Sequence, residues 1–291
     1  MGVHGRTMLL VLVLTAGVLS AAPLRVLVSV APQLESVRRI GGDLVEVEAL
    51  TPPGASPETY VLNTKRMASL AQASLLFKIG APMETALLPK LRRSYPDLAI
   101  VDARAGMQLR AMTEGEHHHH GGAGHDHDHD AEGMDPHVWL SIANMMVHAR
   151  TVGAALAKRL PEHAAVIQAR TEQYVQELTK LDERLRERLR PLSGTAIVVF
   201  HPAFGYFLEL YGMEQIAVEV GGRTPSGRQL GQVLTQAKQA GARAVYVQPQ
   251  FNRRAAQAVA DELRCELRVL DPLPVDYIAG LEELATTLLK P

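Results

Sequence analysis

The sequence predicts an α/β protein of two similar lobes, each a parallel-type sheet covered by helices, joined by a long rigid helix with a cleft between the lobes. Three observations predict it. Short apolar, β-branched runs alternate with helical patterns over the first hundred or so residues, as a parallel sheet with covering helices requires. The same alternation restarts after Pro191. Between the two halves, 162–190 contain neither glycine nor proline.

In chain order, Leu24 to Val30 reads as a buried strand ended by Ala31-Pro32. A helix follows to about Ile40 and stops at Gly41-Gly42. Val45 to Leu50 alternates as a strand should, and Thr51-Pro52-Pro53-Gly54 breaks it. Asn63 to Ala73 is helical, Leu75 to Ile79 a strand ending at Gly80, Glu84 to Arg93 helical and Leu98 to Val101 a strand. Ser141 to Leu160 carries Met145, Ala149, Val152 and Leu156 at helical spacing. Pro161 suits the first turn of the next helix. There Ile167, Tyr174, Leu178, Leu181, Leu185 and Leu189 form one stripe opposite a charged face. About thirty helical residues would span some 45 Å, which suits a strut between lobes; packing on one lobe alone is the plainer alternative. The second half reads strand Ala196 to Phe200, helix Ala203 to Tyr211, strand Gln215 to Val220 and helix Gly227 to Ala240. Strand Ala244 to Val247, helix Asn252 to Leu263, strand Leu267 to Leu270 and helix Val275 to Leu289 complete it.

The chain begins like a secretory precursor. Arg6 precedes an apolar run from Met8 to Leu19, and the small residues Ser20, Ala21 and Ala22 follow. The run is short of the roughly twenty residues a span needs. Export to the periplasm through a cleaved signal peptide is therefore expected. Cys265 is the single cysteine and lies far from that region, so neither a lipid anchor nor an intramolecular disulfide is expected. The expected divisions are a signal peptide over 1–22, an N-terminal lobe over 23–160 with a disordered His-rich loop at 116–132, a linker helix over 161–190 and a C-terminal lobe over 191–291. A formal net charge of −1 gives no broad field toward nucleic acid or an anionic membrane. An aromatic content of 4% argues against an aromatic-lined sugar or nucleobase cleft.

The chemistry is concentrated in histidine. His117, His118, His119, His120, His125, His127 and His129 make up seven of the twelve histidines, packed among glycine and aspartate. Imidazole and carboxylate bind divalent metals, and the glycines disfavour a packed core there. Four further residues stand after strands or in Pro-marked turns. These are Glu58 in Gly54-Ala55-Ser56-Pro57-Glu58-Thr59-Tyr60, His137 in Asp135-Pro136-His137-Val138-Trp139, His201 before Pro202, and Asp271 before Pro272. Each alone is as readily a cap, a turn or a solvated side chain. Two fall in each lobe, so all four could meet in the cleft, where open α/β folds bind ligands.

Asp135-Pro136-His137-Val138-Trp139-Leu140 and His201-Pro202-Ala203-Phe204-Gly205-Tyr206-Phe207 resemble motifs of the zinc/manganese solute-binding proteins of ABC transporters, the cluster 9 family. Gly54 to Tyr60 is similar to the family's first ligand loop, Leu270-Asp271-Pro272-Leu273 to its last, and Gly222 to Leu230 to another recurrent stretch. The similarity runs from about Leu24 to the C-terminus, and a His-rich insertion is typical of the zinc-selective branch. The resemblance implies one metal between two lobes joined by a rigid helix, with His137, His201 and Asp271 as ligands. Glu58 stands where the family usually has histidine. It can ligate through oxygen, or leave three ligands and a water. More oxygen donors also suit Mn²⁺ or Fe²⁺; Zn²⁺ is the metal expected first.

The resulting expectation is a high-affinity periplasmic zinc-binding protein, not an enzyme, that delivers its ion to an ABC transporter membrane permease. A monomer without nucleic-acid partners is expected, with a periplasmic metallochaperone as a further candidate partner. The tract would gather zinc, sense its concentration, or bind it incidentally. The rival readings are a manganese- or iron-binding relative, a secreted zinc hydrolase and a periplasmic zinc buffer. No His-Glu-x-x-His pair supports the hydrolase.

Overall fold

A computed structural model of the chain describes residues 22–112, 133–219 and 225–291. The expected signal peptide apart from Ala22, the His-rich loop, and Gly222 to Thr224 lie outside the described residues.

Strands β1 (Leu24–Val28), β2 (Val45–Ala49), β3 (Leu75–Lys78) and β4 (Ala99–Asp102) form one sheet in the order β2-β1-β3-β4. Strands β5 (Ala196–Val199), β6 (Glu214–Ala217), β7 (Ala244–Val247) and β8 (Glu266–Val269) repeat that order as β6-β5-β7-β8. Every pairing within both sheets is parallel. Parallel neighbours need long crossovers, and helices supply most of them. These are α1 (Leu34–Gly41), α2 (Thr64–Gln72) and α3 (Pro82–Ser94) in the first half, and α6 (Gly205–Leu210), α7 (Gly227–Gln239) and α8 (Arg253–Leu263) in the second. The two-lobe α/β architecture is as the sequence predicts.

Local chemistry moves several boundaries. β1 stops at Val28, short of the apolar run, because Ala31–Gln33 form a 3-10 turn and Gln33 Oε1 accepts the Ser29 and Val30 N–H groups at 2.9 and 3.1 Å. A short antiparallel bridge, Ala111 to Met134, was not foreseen; Met112 N–H donates to Gly133 O at 2.8 Å. The two ends that bracket 113–132 thus lie side by side.

Helix α4 (Ile142–Arg159) is followed by a single 3-10 turn over Pro161–His163 and then by α5 (Ala164–Leu189). At 26 residues, α5 spans about 39 Å. It joins the lobes, and it is also a core helix: the sequence stripe is buried against α1 and α4 of the first lobe and against α9 (Tyr277–Leu288) of the second. Gly153 lets α4 and α5 approach, since a Cβ there would lie 2.2 Å from Thr171 Oγ1.

One apolar core runs from the first sheet through α4 and α5 to α9 and one face of the second sheet. A smaller core lies under α7 and α8 on the opposite face. The lobes are further tied by buried bonds. Trp139 Nε1–H donates to Pro272 O at 2.8 Å, and Tyr277 O–H donates to Trp139 O at 2.7 Å. Glu35 in α1 accepts Ile278 N–H at 3.0 Å, satisfying the first turn of α9 from the other lobe.

Candidate metal centre

The C-terminal ends of the second sheet's strands build half of the site. β5 ends at Val199, and two residues later His201 turns inward, buried at 3% exposure. Its backbone is clamped: Gln248, just past β7, accepts the His201 N–H at 3.3 Å and donates to the His201 carbonyl at 2.6 Å. The β5–β6 pairing continues past the strand ends through Glu219 N–H to Phe200 O at 2.8 Å. That register places the Glu219 carboxylate 2.8 Å from His201 Nδ1. Phe251 stacks on the imidazole, centroids 4.5 Å apart.

The first lobe supplies the other half. At the bend through Pro136, Asp135 Oδ1 accepts from the backbone N–H of His137 at 2.9 Å and lies 2.7 Å from its Nδ1. The Trp139 indole packs edge-on to that ring with centroids 5.4 Å apart. Glu58 comes from the loop after β2, where Ser56 Oγ accepts its N–H at 3.2 Å. Gly54 in that loop has φ 81°, a backbone region glycine enters at little cost. Met83 N–H to Pro57 O, at 3.1 Å, ties the loop to α3.

The three side chains meet between the lobes. Glu58 Oε1 lies 2.8 Å from His201 Nε2 and 3.5 Å from His137 Nε2. Among the described residues, Glu58, His137 and His201 are the group whose candidate ligand atoms all fall within 4.8 Å of one another. A tetrahedral zinc with bonds near 2.05 Å needs ligand atoms about 3.3 Å apart. The pairs therefore adjust by roughly 1.5 Å or less to reach that geometry.

The electrostatics suit a cation. Burial opposes charge on Glu58, but hydrogen bonds and attraction from both imidazoles hold its carboxyl far below the usual range. Burial likewise disfavours a charged His137, yet Asp135 and Glu58 outweigh it and push the imidazole up to about 9. His201 is raised too, burial being outweighed by Glu219 and Glu58. In each histidine the Nδ1 faces a carboxylate and the Nε2 faces Glu58. This is the arrangement that fixes the tautomer and orientation of a metal-ligating imidazole.

Asp271 is not among that group of three. It follows β8, the edge strand, two places from β5. Its Oδ1 accepts Leu273 N–H at 3.0 Å and Gln250 Nε2 at 3.3 Å. Sequence reasoning named no role for Asp135, Glu219, Gln248 or Phe251. The Asp-Pro-His spacing could have exposed Asp135, as an aspartate two residues before a histidine can turn back on it. Glu219 depends on strand pairing and left no local signal.

The family model described as "Zinc-uptake complex component A periplasmic", ZnuA, matches residues 26–290. The high-affinity zinc uptake system protein ZnuA of Paracoccus denitrificans (strain Pd 1222) is 34% identical over 265 residues, covering 81% of this chain and 79% of the relative. That of Bacillus subtilis (strain 168) is 28% identical, covering 86% and 78%. A crystal structure of ZnuA superposes with a TM-score of 0.82 at 29% identity, over 91% of this chain and 98% of the other. A ZnuA deletion mutant solved with zinc bound gives 0.81 at 30% identity, over 91% and 96%. The chain belongs to the ZnuA family, the periplasmic A components of zinc-uptake complexes.

Proposed function

We propose that this chain captures Zn²⁺ in the periplasm between its two lobes and hands it to the membrane permease of an ABC transporter. The observation that carries this is the convergence of two buried imidazole Nε2 atoms on Glu58, each imidazole backed by its own carboxylate. Glu58, His137 and His201 are the primary ligands in this reading. The fourth position falls to Asp271 after a rotation away from Leu273 N–H, or to water. Two nitrogens and one or two oxygens admit Mn²⁺ or Fe²⁺ as competitors, with Zn²⁺ favoured by the histidine content.

The mature protein is proposed to follow cleavage of a signal peptide, without a lipid anchor, and to act as a monomer that performs no catalysis. His117, His118, His119, His120, His125, His127 and His129 gather zinc and pass it inward, since adjacent imidazoles raise the local ligand concentration. A periplasmic metallochaperone is a further partner in this scheme. The test is a competitive titration of Zn²⁺ against Mn²⁺ on the full chain, on a chain lacking 116–132, and on Glu58→Ala and Asp271→Ala variants. The reading expects tight zinc binding to survive removal of the tract and to weaken at least tenfold in Glu58→Ala. Tight binding that disappears with the tract would refute it.

A further inference from the structure

Arg110 lies in the first lobe, just before the bridge that brackets 113–132, yet its side chain ends between the lobes. Its side chain is 12% exposed. Nη1 donates to Asp135 Oδ2 at 2.5 Å, while the other oxygen of that carboxylate is taken by His137. Asp135 is therefore engaged on both sides, by the imidazole and by the guanidinium. The same guanidinium reaches Glu209 of α6 in the second lobe, through Nε at 3.0 Å and Nη2 at 2.7 Å. Tyr206 of α6 completes the clasp. Its hydroxyl accepts Arg110 N–H at 3.0 Å and donates to Asp135 O at 3.2 Å. Gly205 makes the space, since a Cβ there would lie 2.0 Å from Arg110 Nη1.

A structural tie alone would need only the surface pair with Glu209, which is 55% exposed and of a class worth little. The buried half of the contact is aimed instead at the carboxylate that orients His137. A planar fork can hold two carboxylates in fixed directions at once, which a lysine cannot. Asp135 N–H donates to Arg110 O at 3.0 Å, so the two residues are also locked through their backbones.

We propose that Arg110 is a positioning residue for metal capture: it pins Asp135, and through it the His137 imidazole, to α6 of the opposite lobe, at the point where 113–132 joins the fold. This rests on the reading of His137 as a metal ligand. Arg110 itself touches no metal. It sets the direction of one ligand and links that direction to the relative position of the lobes.

The test uses the full chain loaded with one equivalent of metal, with Zn²⁺ affinity read by chelator competition and site geometry by the visible spectrum of the Co²⁺ form. Arg110→Ala is expected to weaken the tight site by tenfold to a hundredfold, the range found when groups that orient metal ligands are removed, and to alter the cobalt bands. Arg110→Lys is expected to fall between wild type and alanine. In a His137→Ala background, Arg110→Ala should add no further loss, because both changes act on one ligand. Affinity within twofold of wild type in Arg110→Ala would overturn the proposal, as would equal losses from Arg110→Ala with and without His137. Should Arg110→Ala fail to fold, Arg110→Lys decides: at least a threefold loss with changed cobalt bands supports the proposal, and equality with wild type overturns it. If His137→Ala alone leaves tight binding intact, the ligand assignment itself fails. That result is distinct from a loss in His137→Ala with none in Arg110→Ala.

Discussion

Glu219→Gln is the perturbation that best isolates how the second lobe prepares its histidine. Glu219 Oε2 sits 2.8 Å from His201 Nδ1, and both residues are less than a tenth exposed. The carboxylate can only accept, so it holds a proton on Nδ1 and leaves Nε2 as the nitrogen that gives up its proton when a metal binds. Glutamine is nearly isosteric but neutral. Its oxygen still accepts from Nδ1–H, without the charge assistance that roughly doubles such a bond, a loss of about 1 kcal/mol. Its amide can also rotate to donate to Nδ1, which would place the proton on Nε2 and remove the ligand. The two effects together suggest a loss of about 1.5 to 3 kcal/mol, or tenfold to a hundredfold in zinc affinity. Chelator competition on purified wild type and variant measures it, with Glu266→Gln, whose side chain is 73% exposed, as a control expected to be silent. An affinity for Glu219→Gln within twofold of wild type would refute the argument.

Two further predictions concern the scaffold. His148 is fully buried edge-on to Phe77, and burial pulls its imidazole down to about 4 from 6.5. The unfolded chain takes up this proton near pH 6.5 and the folded chain only near 4, so stability should be complete above 6.5 and fall between 6.5 and 4 by about 3 kcal/mol. In urea unfolding at pH 7 and pH 4, His148→Leu should remove most of that loss; an unchanged acid slope would contradict it. Tyr277→Phe leaves the buried Trp139 carbonyl without its 2.7 Å donor and should cost about 1 to 3 kcal/mol. The measurement is unfolding of metal-free protein, and a change under 0.5 kcal/mol would contradict that estimate.

Much of the fold was legible because both of its signals are local. Val26, Leu27 and Val28, or Val245 and Val247, are apolar runs that a doubly covered parallel strand requires, and the α5 stripe repeats at helical spacing. Glu58, His137 and His201 were legible as chemically conspicuous residues at breaks between elements, and the structure brings them together. The remainder is non-local. Glu219 reaches His201 only through the β5–β6 register, and Glu35 meets Ile278 across a separation of 243 residues. Arg110 gained a partner in α6 through the packing of one lobe on the other. Asp271 was readable as a residue just after a strand, whereas its contacts with Gln250 and the Leu273 N–H come from the packing of the loops.

Zinc held between the lobes by Glu58, His137 and His201 is the proposal on which the rest depends. A crystal structure of the full chain with one equivalent of Zn²⁺, with data collected across the zinc absorption edge, tests it most directly. One dominant anomalous peak is expected about 2.0 to 2.2 Å from both Nε2 atoms and from a Glu58 oxygen, with Nδ1 of each histidine still on Asp135 and Glu219. A dominant peak on other residues, or one reached through Nδ1 with those carboxylates turned away, would contradict it.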